Sequence, residues 1–270
     1  MKPANSPIQF IQIAPGRSEP VDGDVIVETP VSLTVNGDVW LTFMCTPVDL
    51  EPMAVGFLFN EGLVNSTDEI ADVRLCESGE NVDVWLTHSV EKPDKWRRTS
   101  GCTGGMTSVD HSVALPTPLI NGVSITVDQV GNLIVRLFES QKLYRISGGV
   151  HTSALSDGKR LCVVAEDIGR HNTLDKIAGH CLLEKINPKR RIVLTTGRIS
   201  SEMLQKSARL KASIVISRTS PSSLSIELAE KWGITLIGYA HRNRFNIYTH
   251  PERIVKNLDP AQISEEPIFA

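Results

Sequence analysis

The sequence predicts an α/β fold in which a layered domain over residues 116–270 is preceded by a smaller strand-rich domain over residues 1–115. Three observations predict it. From Thr152 onward, short runs rich in Val, Ile and Leu alternate with segments of helical spacing, the order that builds a sheet with helices on both faces. Each of those runs stops in a polar turn. Ahead of Pro116 and Pro118, segments of alternating apolar and polar residues are separated by turn pairs.

In the N-terminal part, Ile8–Ile13 alternates weakly, while Asp24–Glu28 and Val31–Val35 alternate as half-buried strands do. Asn36-Gly37 predicts a hairpin, because both residues tolerate the positive φ of a tight turn, with Trp40–Cys45 as the return strand. Asp49–Gly62 spaces its apolar residues helically, with acidic residues in the first turn and Gly62 as the stop, and reads as a packing helix. Glu69–Cys76 and Asn81–Thr87 read as a strand pair around Ser78-Gly79. Thr99–Ser108 holds three glycines and no apolar period, so it reads as a flexible loop that carries Cys102.

In the second part, Thr126 to Gln129 fits a capping box, and Val130, Ile134, Leu137 and Phe138 continue a helix toward Leu143. Gly148-Gly149-Val150-His151 breaks that pattern before a strand at Thr152–Leu155. The order is then strand (Leu161–Ala165), helix (Thr173–Lys185, capped by Asn172), strand (Arg191–Thr195), helix (Ser201–Lys211), strand (Ile214–Ile216), helix (Ser222–Trp232) and strand (Thr235–Tyr239).

Composition narrows the function. The chain has 270 residues, 41% hydrophobic and 22% charged, with a net charge of −3. That balance argues against broad electrostatic binding to nucleic acid, so any anion site must be local. No apolar run is long enough to span a bilayer, and the opening MKPANSPIQF lacks the basic start and apolar stretch of an export signal. Cys45, Cys76, Cys102, Cys162 and Cys181 form no Cys-x-x-Cys pair and read as reduced thiols of a cytoplasmic protein. No metal site is expected, since His111, His151 and His171 lack the spacing of zinc ligands.

The polar turns concentrate the chemistry. Glu166 to Asn172 (EDIGRHN), Gly197 to Ser200, Ser217 to Pro221 and His241 to Arg244 each close a strand. On a parallel sheet they would line one edge, where Arg170, Arg198, Arg218, Arg242 and Arg244 could surround a multiply phosphorylated ligand. Glu166 and Asp167 are expected to orient Arg170 and His171. Cys102 is the one cysteine placed in a glycine-rich loop, with Arg97 and Arg98 nearby to favour a thiolate. Cys45, Cys162 and Cys181 lie in apolar settings and read as core residues.

Together these motifs resemble the FdhD family of formate dehydrogenase accessory sulfurtransferases. The resemblance rests on Gly101-Cys102-Thr103-Gly104-Gly105, Gly148 to His151, EDIGRHN with Asp175-Lys176, Gly197 to Met203 (GRISSEM) and Arg244 to Thr249. It extends to Val35-Asn36-Gly37, Thr46-Pro47 and Gly56 to Gly62, nearly the whole chain. It implies a cytidine-deaminase-like α/β/α layout for the larger domain, without the deaminase zinc signature. It also implies a cytoplasmic protein that takes persulfide sulfur from a cysteine desulfurase. The sulfur passes to the molybdenum cofactor, bis-molybdopterin guanine dinucleotide, before that cofactor enters formate dehydrogenase.

By this resemblance Cys102 carries the persulfide, and Tyr239, Ala240, His241, Arg242, Asn243 and Arg244 form the cofactor-binding turn, beside Arg170, His171 and Arg198. Gly105 stands where many relatives have a second cysteine, and His241 where relatives often have Arg. A non-catalytic chaperone that only holds the cofactor is the alternative of a different class. A nucleotide-modifying enzyme is disfavoured by the missing zinc ligands. Oligomeric state is left open, a homodimer included.

Overall fold

The computed structural model describes residues 2–93, 97–98, 106–107 and 123–255. Cys102, the domain boundary drawn at 115/116 and the prolines that mark it lie outside the described residues.

The N-terminal strands are β1 (Asn5–Ala14), β2 (Arg17–Ile26), β3 (Thr29–Val35), β4 (Asp38–Cys45), β5 (Ile70–Leu75) and β6 (Asn81–Leu86), with α1 (Leu50–Asn60) between β4 and β5. β1 and β2 pair antiparallel as a long arm, so the strand read from Asp24 in fact begins at Arg17. β4-β3-β6-β5 make a four-stranded sheet. The predicted Asn36-Gly37 turn joins β3 to β4, with φ of 50° and 90°. Asn36 then ties it to β6, accepting from the Leu86 N–H at 2.7 Å and donating to the His88 carbonyl at 3.0 Å.

Two short strands, β7 (Arg97–Arg98) and β8 (Met106–Thr107), pair antiparallel on either side of the Cys102 segment. Next come β9 (Ile125–Thr126), α2 (Val127–Glu139), α3 (Leu143–Ser147), β10 (His151–Ser156), β11 (Leu161–Asp167), α4 (Arg170–Leu183), β12 (Ile192–Thr195), α5 (Ser201–Arg209), β13 (Ile214–Ser217), α6 (Ser223–Trp232), β14 (Thr235–Gly238), β15 (Asn246–Ile247) and β16 (Ile254–Val255). The capping box at Thr126 forms as read, its hydroxyl accepting from Gln129 N–H at 3.1 Å. The helix it starts stops at Glu139, short of Leu143. The carboxylate of Glu166 starts a new helix there by accepting from the N–H groups of Lys142, Leu143 and Tyr144.

The six-stranded sheet has the order β11-β10-β12-β13-β14-β15. β10 pairs antiparallel with both neighbours and β15 antiparallel with β14, so the sheet is mixed rather than parallel. β11, β12, β13 and β14 nevertheless run the same way, and the polar turns that follow them share one edge. α2 covers one face through Val130, Leu133, Ile134 and Leu137. α4, α5 and α6 cover the other, where Leu174, Ile177, Met203, Leu204 and Trp232 meet Val163, Val193, Val215 and Leu236. This is the layering that alternation predicts.

α1 lies between α4 and the four-stranded sheet, with Met53, Phe57 and Leu58 packed on Val31, Leu33 and Val84. Its approach to α4 is backbone to backbone. A Cβ on Gly56 would sit 1.8 Å from the Asp175 carbonyl oxygen, and one on Gly179 would sit 1.8 Å from that of Pro52. Only glycine admits that spacing. With α1 on one side and the sheet on the other, every residue from Arg170 to Gly179 is buried.

Candidate functional site

α4 begins at Arg170 with Gly169 as its cap, not at Asn172. Asn172 is instead a buried tie, donating to the Met44 carbonyl at 2.9 Å and to Asp167 Oδ1 at 2.8 Å. Asp167 gathers this turn. It accepts from Gly169 N–H at 2.7 Å and Thr46 N–H at 3.0 Å, and its Oδ2 lies 2.7 Å from Lys176 Nζ. The expectation that Glu166 and Asp167 orient Arg170 and His171 is therefore corrected. Glu166 is spent on the start of α3, and Asp167 joins Lys176 and the Thr46 segment. Sequence proximity misled because a strand end and a helix start point consecutive side chains in different directions.

Next to this buried hub, three strand ends deliver donors. Arg170, Arg198, Ile199, Ser200, Ser220, Pro221 and Ser222 line a cavity of about 270 Å³. Two of these are helix caps. Ser200 Oγ accepts from Met203 N–H at 3.4 Å at the start of α5, and Ser222 Oγ accepts from Ser225 N–H at 3.2 Å at the start of α6. Arg170 opens α4. The first residues of three helices, with Arg170 and Arg198 among them, thus line one small cavity, a setting that can favour an anion. The turns are laced together by Ile199 N–H to the Ser220 carbonyl at 3.2 Å, Ser222 N–H to the Ile199 carbonyl at 2.9 Å and Ser217 Oγ to the Gly197 carbonyl at 2.7 Å.

A second cavity of about 660 Å³ opens along the same edge. Phe138, Gln141 and Tyr144 line one side, Gly148 to His151 the entry to β10, and Ile168, Thr196, Arg218 and Thr219 the strand ends. Its mix of aromatic faces, small backbone and hydrogen-bonding side chains suits an organic ligand larger than a phosphate. Arg218 stacks on the Phe138 ring, 5.9 Å from its centroid, and donates to His241 Nε2 at 2.6 Å.

The turn from Tyr239 to Arg244 sits beside this cavity. Tyr239 is exposed with a φ of 51°, Ala240 is buried, His241 is half-buried, and Arg242, Asn243 and Arg244 are exposed. Backbone bonds from Tyr239 N–H to the Thr219 carbonyl at 3.0 Å and from Ala240 N–H to the Ser217 carbonyl at 2.9 Å hold the turn against the end of β13. On its other side a Cβ on Gly131 would lie 2.1 Å from the Arg242 carbonyl oxygen, so this glycine of α2 lets the turn settle.

The imidazoles here are all held below their ordinary 6.5. Burial, then the charges of Lys206, Arg170 and His151, holds His171 well below its ordinary value. Burial followed by Arg170 lowers His151, and burial with Arg218 and Arg244 lowers His241. His171 is buried and lines neither cavity; its Nε2 lies 3.4 Å from Ser200 Oγ, behind the helix cap. Arg170 and Arg198 line the same cavity. His151, Thr219, Phe138 and Tyr144 were not among the sequence candidates. The Gly148-Gly149 break was the available signal for His151, because a glycine pair ahead of a strand lets a ligand approach the backbone.

The other thiols sit apart. Burial pushes Cys45 up to about 12 and Cys181 up to about 11, and raises Cys162. Cys76 is exposed on the β5–β6 turn, where the Ser78 hydroxyl lowers its pKa. Among the described residues no group of His, Cys, Asp and Glu is arranged to hold a metal ion, and no helix is long and apolar enough to cross a membrane.

Comparison with known proteins points one way. The model of the FdhD/NarQ family matches residues 26–255. The sulfur carrier protein FdhD of Bacillus subtilis is 35% identical over 244 residues, covering 88% of this chain and 93% of the relative. The Staphylococcus aureus protein of the same name is 33% identical, covering 85% and 89%. A crystal structure of a formate dehydrogenase accessory protein from Desulfotalea psychrophila superposes with a TM-score of 0.80 at 32% identity, covering 94% of this chain and 100% of that one.

Proposed function

The chain belongs to the FdhD/NarQ family, and from that premise we propose that it is a sulfurtransferase in formate dehydrogenase maturation. Cys102 accepts sulfur from a cysteine desulfurase, and the sulfur passes to bis-molybdopterin guanine dinucleotide held as substrate on the arginine-lined edge. The names of the relatives support the sulfur-carrying role. The observation that carries the ligand class is the 270 Å³ cavity where three helix N-termini, Arg170 and Arg198 meet. A guanine dinucleotide brings phosphates for that cavity and bases for the larger one beside it.

In the loading step the Cys102 thiolate attacks the terminal sulfur of the donor's persulfide. The new S–S bond forms as the donor's S–S bond breaks, and the donor cysteine leaves as a thiolate. The raised pKa values of Cys45, Cys162 and Cys181 favour Cys102 over them, since the thiolate is the nucleophile. With glycine at 105, one sulfur must serve as acceptor and donor.

The order of the first five strands of the six-stranded sheet, with β10 reversed between β11 and β12, supports a cytidine-deaminase-like layout for this part. The work is placed in the cytoplasm, where desulfurase and reduced thiols coexist.

The test is mass spectrometry after incubation with a cysteine desulfurase and cysteine. The expected result is one added sulfur on Cys102, and Cys102→Ala that folds, binds GDP and fails to activate formate dehydrogenase. Sulfur found on Cys76, or full activation by Cys102→Ala in a strain lacking its own accessory protein, would overturn the assignment. GDP binding and activation without any added sulfur would favour the chaperone.

A further inference from the structure

We propose that the opposite edge of the six-stranded sheet is a docking groove for an acidic protein segment with aliphatic anchors, on a partner engaged while the arginine-lined edge holds its own ligand. β10 and β11 join at this far edge, where Ser156 pairs with Leu161 and with Ile192. The loop from α4 to β12 arrives at the same place. Between the two lies a cavity of about 680 Å³.

Its rim is basic. Lys159 and Arg160 stand on one side, Lys189 and Arg190 on the other, all exposed. Asp157 also lines the groove and pairs with Arg160 at 3.5 Å, whereas Lys159, Lys189 and Arg190 have no ion-pair partner among the described residues. In a chain of net charge −3 this is a local reversal of sign.

The floor is apolar, made by Leu161, Ile186 and Pro188 with Cys162. Burial raises the Cys162 thiol, so it adds a small neutral surface there. Sharing Ile186 and Asn187, the groove runs on into a further cavity of about 270 Å³ bounded by Phe59, Leu182 and Arg191.

An apolar floor under a cationic rim matches a polypeptide that presents Leu, Ile or Val inward and Asp or Glu outward. It matches nucleic acid poorly, because the larger cavity has no aromatic side chain for a base to stack on. The strands separate the two edges, so a partner seated here leaves the cavities of Arg170 and Arg218 open. That arrangement suits a carrier that must hold its cargo while it changes protein partners.

The experiment uses the whole protein and a fluorescein-labelled glutamate-rich peptide carrying two leucines, with binding read by anisotropy. Wild type should bind the peptide and lose affinity as salt is raised. Lys159→Glu/Lys189→Glu/Arg190→Glu should weaken it by about tenfold or more, and Lys189→Glu or Arg190→Glu alone by a fewfold. A peptide with serine in place of both leucines should bind more weakly. Unchanged affinity in the triple variant, equal binding of the serine peptide, or tighter binding of an oligonucleotide of equal charge would each overturn the proposal.

Discussion

Lys176 Nζ lies 2.7 Å from Asp167 Oδ2, and neither side chain has any exposed surface. The lysine also donates to the carbonyls of Thr46 at 3.3 Å and Glu166 at 3.1 Å, so its three N–H groups are spent. One ion pair thus ties the turn that opens α4 to the segment leading from β4 into α1. A second pair lies one helical residue away, where Asp175 takes Lys206 Nζ at 2.6 Å and Asn60 Nδ2 at 2.7 Å.

Asp167→Asn should therefore destabilise the fold as a whole, since it leaves a buried ammonium without its counter-charge, at a cost of about 3–5 kcal/mol. Urea denaturation should also find Asp167→Asn/Lys176→Met less harmful than the two single changes added together. Additive losses would mean that the two side chains act independently.

Exposed Arg198 should matter to ligand and not to folding. Arg198→Glu is expected to keep the melting temperature while lowering GDP affinity about tenfold or more, as the loss of a charge-assisted contact would. Calorimetry with GDP on both proteins checks this, and equal affinity would remove Arg198 from the site.

The crossing of α1 and α4 should reject any side chain. Gly179→Ala must push a methyl into the Pro52 carbonyl, where backbone and not a flexible tip blocks it. A loss of about 1–3 kcal/mol is expected by chemical denaturation. Gly62→Ala meets no atom within 4 Å, and its cost comes from a φ of 78° alone.

His180 on α4 lies with its Nε2 3.6 Å from Asp49 Oδ1, at the cap of α1. The Asp49 carboxylate, and after it the Glu184 carboxylate 2.5 Å from Nδ1, raises His180 above its ordinary 6.5, and His180 in turn lowers Asp49 below its ordinary 3.8. The histidine's contribution is then full below its unfolded pKa and is lost as pH rises through the raised folded value. The aspartate's contribution is present above its unfolded pKa and is lost as pH falls through the lowered one. Thermal melts between about pH 6 and 8 should show wild type losing stability with rising pH and His180→Ala losing less. Parallel curves would show that neither Asp49 nor Glu184 favours the charged histidine in the folded state.

Much of this was legible in the chain itself. The Asn36-Gly37 hairpin, the capping box at Thr126 and the strand–helix alternation after Thr152 follow from local rules, because turn chemistry and periodicity act over a few residues. The same alternation places the polar turns on one edge, and the motifs of those turns carry the family resemblance.

What the sequence could not decide lies between distant residues. Asn172 reads as a helix cap, with Asp175 and Lys176 as polar residues of the helix it starts, yet all three are buried, because α1 closes over α4 through glycines more than a hundred residues apart in the chain. Asp167 looked like a neighbour for Arg170 and became the partner of Lys176 and Thr46. The cations of two separate loops, Lys159 and Arg160 with Lys189 and Arg190, form a rim only when the sheet sets those loops side by side. Periodicity reports which face of a segment is apolar, whereas burial of polar residues and long-range clustering of charge depend on what the rest of the chain places against that face.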